Sequence, residues 1–216
     1  MHAPVILQAE WREPASILAG LAHEDYCVGL ISDGSVERGR WSYVVARPDE
    51  ILSVDPEEDL DPFSALSTFI GSGLGMDPAI DPDLPPFQGG VIGLATYELG
   101  ARSEPVNLAR SQGWADLVCA RYCSLLAFDH HNQRLFAVGC GSNPQKAADL
   151  ASSWLALPRP SAFEGRLAQG FEPAATNSGY EANVATVVKK IEAGEIFQAN
   201  IAQAWQGRLR SGATPA

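Results

Sequence analysis

Gln198 and Asn200 are the residues of this chain whose type and spacing most suggest chemistry: two neutral side-chain amides, two positions apart, in the run Glu195-Ile196-Phe197-Gln198-Ala199-Asn200-Ile201-Ala202. In an extended strand side chains alternate, so Ile196, Gln198, Asn200 and Ala202 fall on one face and Phe197, Ala199 and Ile201 on the other. An amide donates and accepts at once without adding charge, which suits it to orienting a polar substrate or a small nucleophile. The same alternation also describes a solvated strand face, and the residue types alone leave both readings open.

The glycine-rich run Gly89-Gly90-Val91-Ile92-Gly93 is a second place to look, because amides freed of side chains can approach an anion closely. It lacks the G-x-G-x-x-G order, and the chain contains no G-x-x-x-x-G-K-[ST], G-x-S-x-G, H-E-x-x-H or calcium-loop pattern. These glycines are therefore read as positions where another backbone packs closely against a strand. Cys119 and Cys123 have C-x3-C spacing but no second Cys or His pair at finger spacing, so a strand carrying both on one core face is preferred to a metal site. With Cys27 and Cys140, which also sit in apolar runs, they read as reduced, buried thiols. His130 and His131 are adjacent in Asp129-His130-His131-Asn132-Gln133, where neighbouring side chains diverge, and read as part of a turn rather than as ligands.

Charge argues against two classes of partner. The chain has 216 residues, 46% of them hydrophobic, and a formal net charge of −11, so a phosphate backbone or an anionic lipid surface is repelled. No nucleic acid and no membrane partner is expected. No apolar run approaches the roughly 18 residues needed to span a bilayer, and Met1-His2-Ala3-Pro4 opens no basic n-region, so a cytoplasmic protein is expected.

The elements that must position these groups follow from periodicity. Residues 13–23, with Ile17, Leu18 and Leu21 at helical spacing behind Pro14, predict a short amphipathic helix. Residues 26–32 and 41–46 predict two strands joined through Asp33-Gly34-Ser35, and residues 62–71 a helix. Four prolines exclude helix from residues 76–86. Residues 115–128 and 134–138 predict a strand pair of hairpin form, and residues 144–155 a helix. Residues 158–177, rich in Pro, Gly, Ala and Ser, predict a linker between a domain of residues 1–157 and a second unit of residues 178–216. That unit opens on Ser178-Gly179-Tyr180-Glu181, a capping-box pattern, followed by Tyr180, Val184, Val187, Val188 and Ile191 on one face and Gly194 as the stop. Residues 195–206 are then expected as a strand.

The residues themselves carry a family likeness. Phe87-Gln88-Gly89-Gly90 with Gly93-Leu94 and Tyr97-Glu98-Leu99-Gly100 resembles the P-F-Q-G-G…G-L…Y-[DE]-L-G motif of the aminodeoxychorismate synthase component I family. Gly194-Glu195-Ile196-Phe197-Gln198-Ala199-Asn200-Ile201-Ala202-Gln203 is similar to that family's G-[DE]-x-[YF]-Q-V-N-L-A-Q motif, with Ala199 in place of the usual Val. Leu30-Ile31-Ser32, Arg40-Trp41 and Ala46-Arg47-Pro48 resemble its L-L-x-S and S-R-[FW]…A-x-P segments.

The resemblance implies an α/β (α+β) fold like that of anthranilate synthase component I, with interleaved, mostly antiparallel sheets and flanking helices. This chain would supply the amino-terminal domain and the start of the chorismate-binding domain, a truncated enzyme that is inactive alone. It implies chorismate as substrate, ammonia from a glutamine amidotransferase partner, and magnesium as cofactor. The family's lysine motif and acidic metal ligands are not found in this sequence, so catalytic and metal residues are not assigned. Gln198 and Asn200 would line the substrate site. Related isochorismate-forming enzymes place a water-activating lysine where Gln198 falls, and a neutral amide cannot serve as that base. Leu30, Ser32, Arg40 and Trp41 align with a pocket that holds tryptophan in relatives, though a serine at a strand end and an Arg-Trp pair at a strand start are also ordinary structural features. Two alternatives stand beside the aminating enzyme: a non-catalytic tryptophan-binding module, and anthranilate synthase component I.

Overall fold

A computed structural model of the chain describes residues 3–35, 37–71, 81–108, 113–157 and 167–213. Within them the chain divides into two compact units, Met1–Ser161 and Ala162–Ala216.

The first unit is built on two antiparallel sheets. The larger is five-stranded, in the order β1 (Val5–Ala9), β8 (Arg134–Gly139), β7 (Ser124–Asp129), β3 (Trp41–Val45), β2 (Val28–Leu30). The smaller holds β4 (Glu50–Val54), β6 (Leu117–Tyr122) and β5 (Gly90–Ala95) in that order. Strand alternation assigns each face of the larger sheet a different neighbour. Val44, Leu126, Phe128, Leu135 and Ala137 pack with Ile17 and Leu21 of α1 (Pro14–Leu21) and with Ala151 and Trp154 of α3 (Pro144–Leu155). On the opposite face Val45, Leu125, Ala127, Phe136 and Val138 meet Ala120 and Tyr122 of β6 and, less buried, Phe87 and Ile92. The far side of the smaller sheet is covered by α2 (Pro62–Gly71), whose Phe69 packs on Val54, Leu117 and Cys119. β7 is fully buried, and its centre, Leu125 to Phe128, is an unbroken apolar run because both of its faces are covered.

Residues 115–128, expected as one strand, form two. β6 ends at Tyr122, Cys123 turns the corner, and β7 begins at Ser124 in the other sheet. Cys119 and Cys123 therefore do not share one strand face. An apolar run carries no mark of such a corner, since buried strands in either sheet draw on the same residues. All four cysteines are free, but only Cys119 and Cys140 are buried, while Cys27 and Cys123 are half-buried. The β7–β8 hairpin forms as expected, with Asp129 opposite Arg134 and a turn at residues 130–133. The expected helices at residues 13–23, 62–71 and 144–155 are α1, α2 and α3. Of the proline-rich stretch at residues 76–86, residues 76–80 lie outside the described residues.

In the second unit β9 (Ala168–Pro173) pairs antiparallel with β10 (Trp205–Leu209) across α4 (Asn177–Glu192). Three expectations change here. β9 occupies part of the stretch read as a linker; its polar, glycine-containing sequence suits a ribbon exposed along nearly its whole length. The helix begins two residues earlier than the capping box implies, because Thr176 is the N-cap and its Oγ1 accepts from Gly179 N at 3.2 Å. Gly194 ends the helix at φ +73°, as its type suggests. The third change concerns residues 195–206: only Trp205 and Gln206 belong to a strand, because pairing with β9 starts at Trp205 opposite Pro173. Residues 196–204 have no strand pairing, so propensity there finds no ladder to join. No described helix is long and apolar enough to cross a membrane.

Candidate functional site

The Phe87–Gly100 motif is positioned by the smaller sheet. Gly93 faces Cys119 across the β5–β6 ladder, and a Cβ there would stand 2.7 Å from Val118 O and overlap Cys119 Sγ. Gly89 has φ +132°, which side chains rarely adopt, and a Cβ would lie 3.2 Å from Tyr122 O. Close backbone packing is what the glycines permit. Phe87 N donates to the Tyr43 hydroxyl at 3.4 Å, and Tyr43 meets the Phe87 ring edge-on at 5.5 Å, so the motif's entry is tied to β3. Burial pushes the Tyr43 hydroxyl up to about 12, which keeps it a neutral partner.

The four residues Leu30, Ser32, Arg40 and Trp41 lie around the β2–β3 pair. Leu30 is opposite Tyr43, and Trp41 stacks on Tyr43 at 6.5 Å with an interplanar angle of 17°. The Arg40 guanidinium lies 4.9 Å from the Trp41 ring centroid. Ser32 joins the cluster through its backbone: Ser32 N donates to Ser42 Oγ at 2.8 Å. Ser42 Oγ also shares a hydrogen bond of 2.7 Å with His130 Nε2, and His130 packs edge-on against Trp11 at 5.3 Å. Ser42 and His130, a pair that pattern reading missed, lie on the helix-covered face of the sheet, opposite the Trp41–Tyr43 stack. A serine inside an apolar strand and a histidine in a turn carry no spacing signal; only the pairing of β3 with β7 brings them together.

Arg40 is largely engaged within the fold. Its Nε and Nη2 donate to Asp129 Oδ1 and Oδ2 at 3.0 and 2.7 Å, and its Nη1 donates to Pro82 O at 3.1 Å. Asp129 is fully buried and also accepts from Arg134 Nη2 at 3.0 Å and Asn132 Nδ2 at 2.8 Å. Burial raises its carboxyl, but the hydrogen bonds from Arg40, Asn132 and Arg134 outweigh that and hold it well below the ordinary carboxylate range. The Arg102–Asp116 pair, 2.8 Å on another buried carboxylate, anchors the end of the Tyr97–Arg102 turn to the smaller sheet in the same manner.

Gln198 and Asn200 belong to the second unit and are exposed, with Phe197 92% exposed beside them. Because this segment is not a strand, alternation does not put the two amides on one ladder face. The segment is fixed at its ends instead: Gly194 N donates to Ile191 O at 3.0 Å, and Gln203 Nε2 donates to Ala175 O at 3.2 Å. Among the described residues no group of three or more His, Cys, Asp or Glu side chains is arranged to hold a metal ion.

Residues 33–216 match the family described as chorismate binding enzyme, and the chain belongs to that family. Aminodeoxychorismate synthase component 1 of Salmonella typhimurium is 28% identical over 222 residues, covering 94% of this chain and 47% of the relative. Anthranilate synthase component 1 of Streptomyces coelicolor is 29% identical over 220 residues, covering 92% and 42%. The chain thus spans a little under half the length of these relatives. The crystal structure of anthranilate synthase component I from Streptococcus pneumoniae shares the fold, with a TM-score of 0.52 at 21% identity over 74% of this chain and 40% of that one. The fold is thus α/β and anthranilate synthase component I-like, with antiparallel sheets and flanking helices.

Proposed function

We propose that this chain is part of an aminodeoxychorismate synthase component I, which converts chorismate and ammonia to 4-amino-4-deoxychorismate. The observation that carries the reading is the neutral pair Gln198 and Asn200 in a segment that otherwise matches the family's G-[DE]-x-[YF]-Q-V-N-L-A-Q motif. A lysine at the first of these positions would favour activating water; an amide has no basic lone pair for that task, and it leaves the incoming nucleophile to be a neutral amine. Gln198 and Asn200 are assigned to orienting chorismate, whose charge and hydroxyl groups call for donors and acceptors.

The reading also takes a glutamine amidotransferase subunit as the ammonia source and magnesium as the ion that holds the substrate carboxylate. The described residues do not fit a magnesium site, which needs oxygen ligands converging in near-octahedral order, so no step here is drawn through the ion. A cytoplasmic setting is part of the same proposal.

A second reading is favoured by one observation, the stack of Arg40, Trp41 and Tyr43 beside Leu30 and Ser32. It makes this cluster a pocket for tryptophan, either beside the catalytic function or, in a non-catalytic module, instead of it. Anthranilate synthase component I is the third reading.

Product analysis separates them. The chain joined to a complete chorismate-binding domain and supplied with chorismate, ammonium and magnesium should yield 4-amino-4-deoxychorismate. Anthranilate as the product would move the chain to the third reading, and absence of turnover with saturable tryptophan binding would move it to the second.

A further inference from the structure

The corner where β6 passes into β7 brings two free thiols face to face. The β7–β8 register runs from Asp129 opposite Arg134 to Ser124 opposite Gly139, and one step further Cys123 faces Cys140. Cys140 N donates to Cys123 O at 2.7 Å, which places the two residues as a hydrogen-bonded pair continuing that ladder. Each flanks the end of its strand, next to the ladder whose Leu125, Ala127, Phe136 and Val138 pack in the space between the two sheets. In a hydrogen-bonded antiparallel pair the Cβ atoms stand at the wide end of roughly 4.5–5.5 Å, so a disulfide requires the corner to draw in by about 1 Å.

The two thiols differ in access. Cys123 is half-buried, whereas Cys140 is only 5% exposed and its Sγ donates to Gln88 O at 3.1 Å. That bond seats the Cys140 sulfur under the turn that leads into β5, where a Cβ on Gly89 would come within 3.3 Å of it. The neighbouring Asp49 supplies the corner's acid: its Oδ2 accepts from Cys123 N at 2.9 Å, while Asp49 N donates to Arg121 O at 2.8 Å.

We propose that Cys123 and Cys140 are a modification site, a cross-strand dithiol that a peroxide closes to a disulfide. In the first step the Cys123 thiolate attacks one peroxide oxygen; an S–O bond forms, the O–O bond breaks, and the departing oxygen takes a proton to leave as water or alcohol. In the second the Cys140 thiolate attacks the sulfenic sulfur; an S–S bond forms, the S–O bond breaks, and hydroxide leaves as water. Two thiols lose two electrons in total, and the peroxide gains them. Closure removes the thiol proton that Cys140 gives to Gln88 O, so the modification reaches the first residues of β5.

The site's electrostatics set the pace. Burial, with the Asp49 carboxylate adding to it, pushes the Cys123 thiol up to about 12 and also raises Cys140. Since only thiolate reacts, closure at neutral pH is slow, and its rate rises by about tenfold per pH unit below the thiol pKa.

Peptide mapping after hydrogen peroxide treatment of the native chain at pH 7 and pH 9 tests this directly. The expected result is a Cys123–Cys140 cross-linked peptide, formed faster at the higher pH. Cys140→Ser should then leave a sulfenic acid at Cys123 that a dimedone probe captures. A cross-link of Cys123 or Cys140 to Cys27 or Cys119 in place of the pair overturns the proposal. So does conversion of Cys123 to sulfinic acid in the native chain without a cross-link, or survival of all four thiols at pH 9 under peroxide that oxidises free cysteine. The mapping on the native chain decides the matter even if the variant does not fold.

Discussion

Arg40 and Asp129, 89 residues apart, form a two-point ion pair in which a partly exposed guanidinium closes over a carboxylate that has no exposure of its own. With Arg134 on the same carboxylate, it joins the start of β3 to the end of β7 beside the stacked Trp41. Arg40 is thus a structural tie, and all three of its guanidinium nitrogens are held within the fold, the third by Pro82 O.

Replacing Asp129 by Asn leaves two guanidinium groups facing a neutral amide. Loss of a buried pair costs about 3–5 kcal/mol, which urea denaturation should read as a lower midpoint with little change in slope. The pH dependence has a definite sign. Because the folded carboxyl lies below the ordinary aspartate value of about 3.9, its contribution is complete above that value and disappears as pH falls through the folded value. Acid titration of the native chain should therefore show a loss of stability below about pH 4 that Asp129→Asn lacks.

Gly93→Ala should destabilise the smaller sheet. The new methyl meets Val118 O and Cys119 Sγ, and β5 or β6 must shift to admit it; overpacking of this kind costs about 1–3 kcal/mol. Thermal melting checks it, and an unchanged midpoint would mean the ladder yields more easily than its spacing allows.

Thr176→Ala should cost about 1 kcal/mol of α4 stability, whereas Ser178→Ala should change it by a few tenths. Hydrogen exchange at residues 177–180 reads the difference, and the reverse order would restore the capping-box assignment.

Elements with a strong period were legible in the sequence, and their partners were not. The proline at the head of each of α1, α2 and α3 marked those helices, and the turn at residues 130–133 marked the β7–β8 hairpin. The corner at Cys123 stayed hidden because both flanking strands are buried, so composition does not change where the chain leaves one sheet for the other. Residues 196–204 misled for the opposite reason: their alternation suits a strand, but strand formation needs a neighbour, and no strand pairing reaches them beyond the single bond from Ala174 N to Ala204 O. Of the candidate site, the Arg40–Trp41 pair was visible as adjacent residues. Its support Asp129 was not, since register alone brings it to Arg40.

If the cluster around Trp41 is an aromatic amino-acid pocket, calorimetry with tryptophan should give saturable heat that Ser32→Ala weakens at least tenfold, about 1.4 kcal/mol. Absence of heat at millimolar tryptophan would remove that reading.

The assignment of Gln198 to the reacting substrate is tested most directly by Gln198→Ala in the chain joined to a complete chorismate-binding domain, with kcat and KM measured for chorismate and ammonium. The account predicts that kcat/KM for chorismate falls by about 10–100-fold, the loss of one or two charge-assisted hydrogen bonds, while folding is unchanged. Wild-type kinetics in that variant would contradict it.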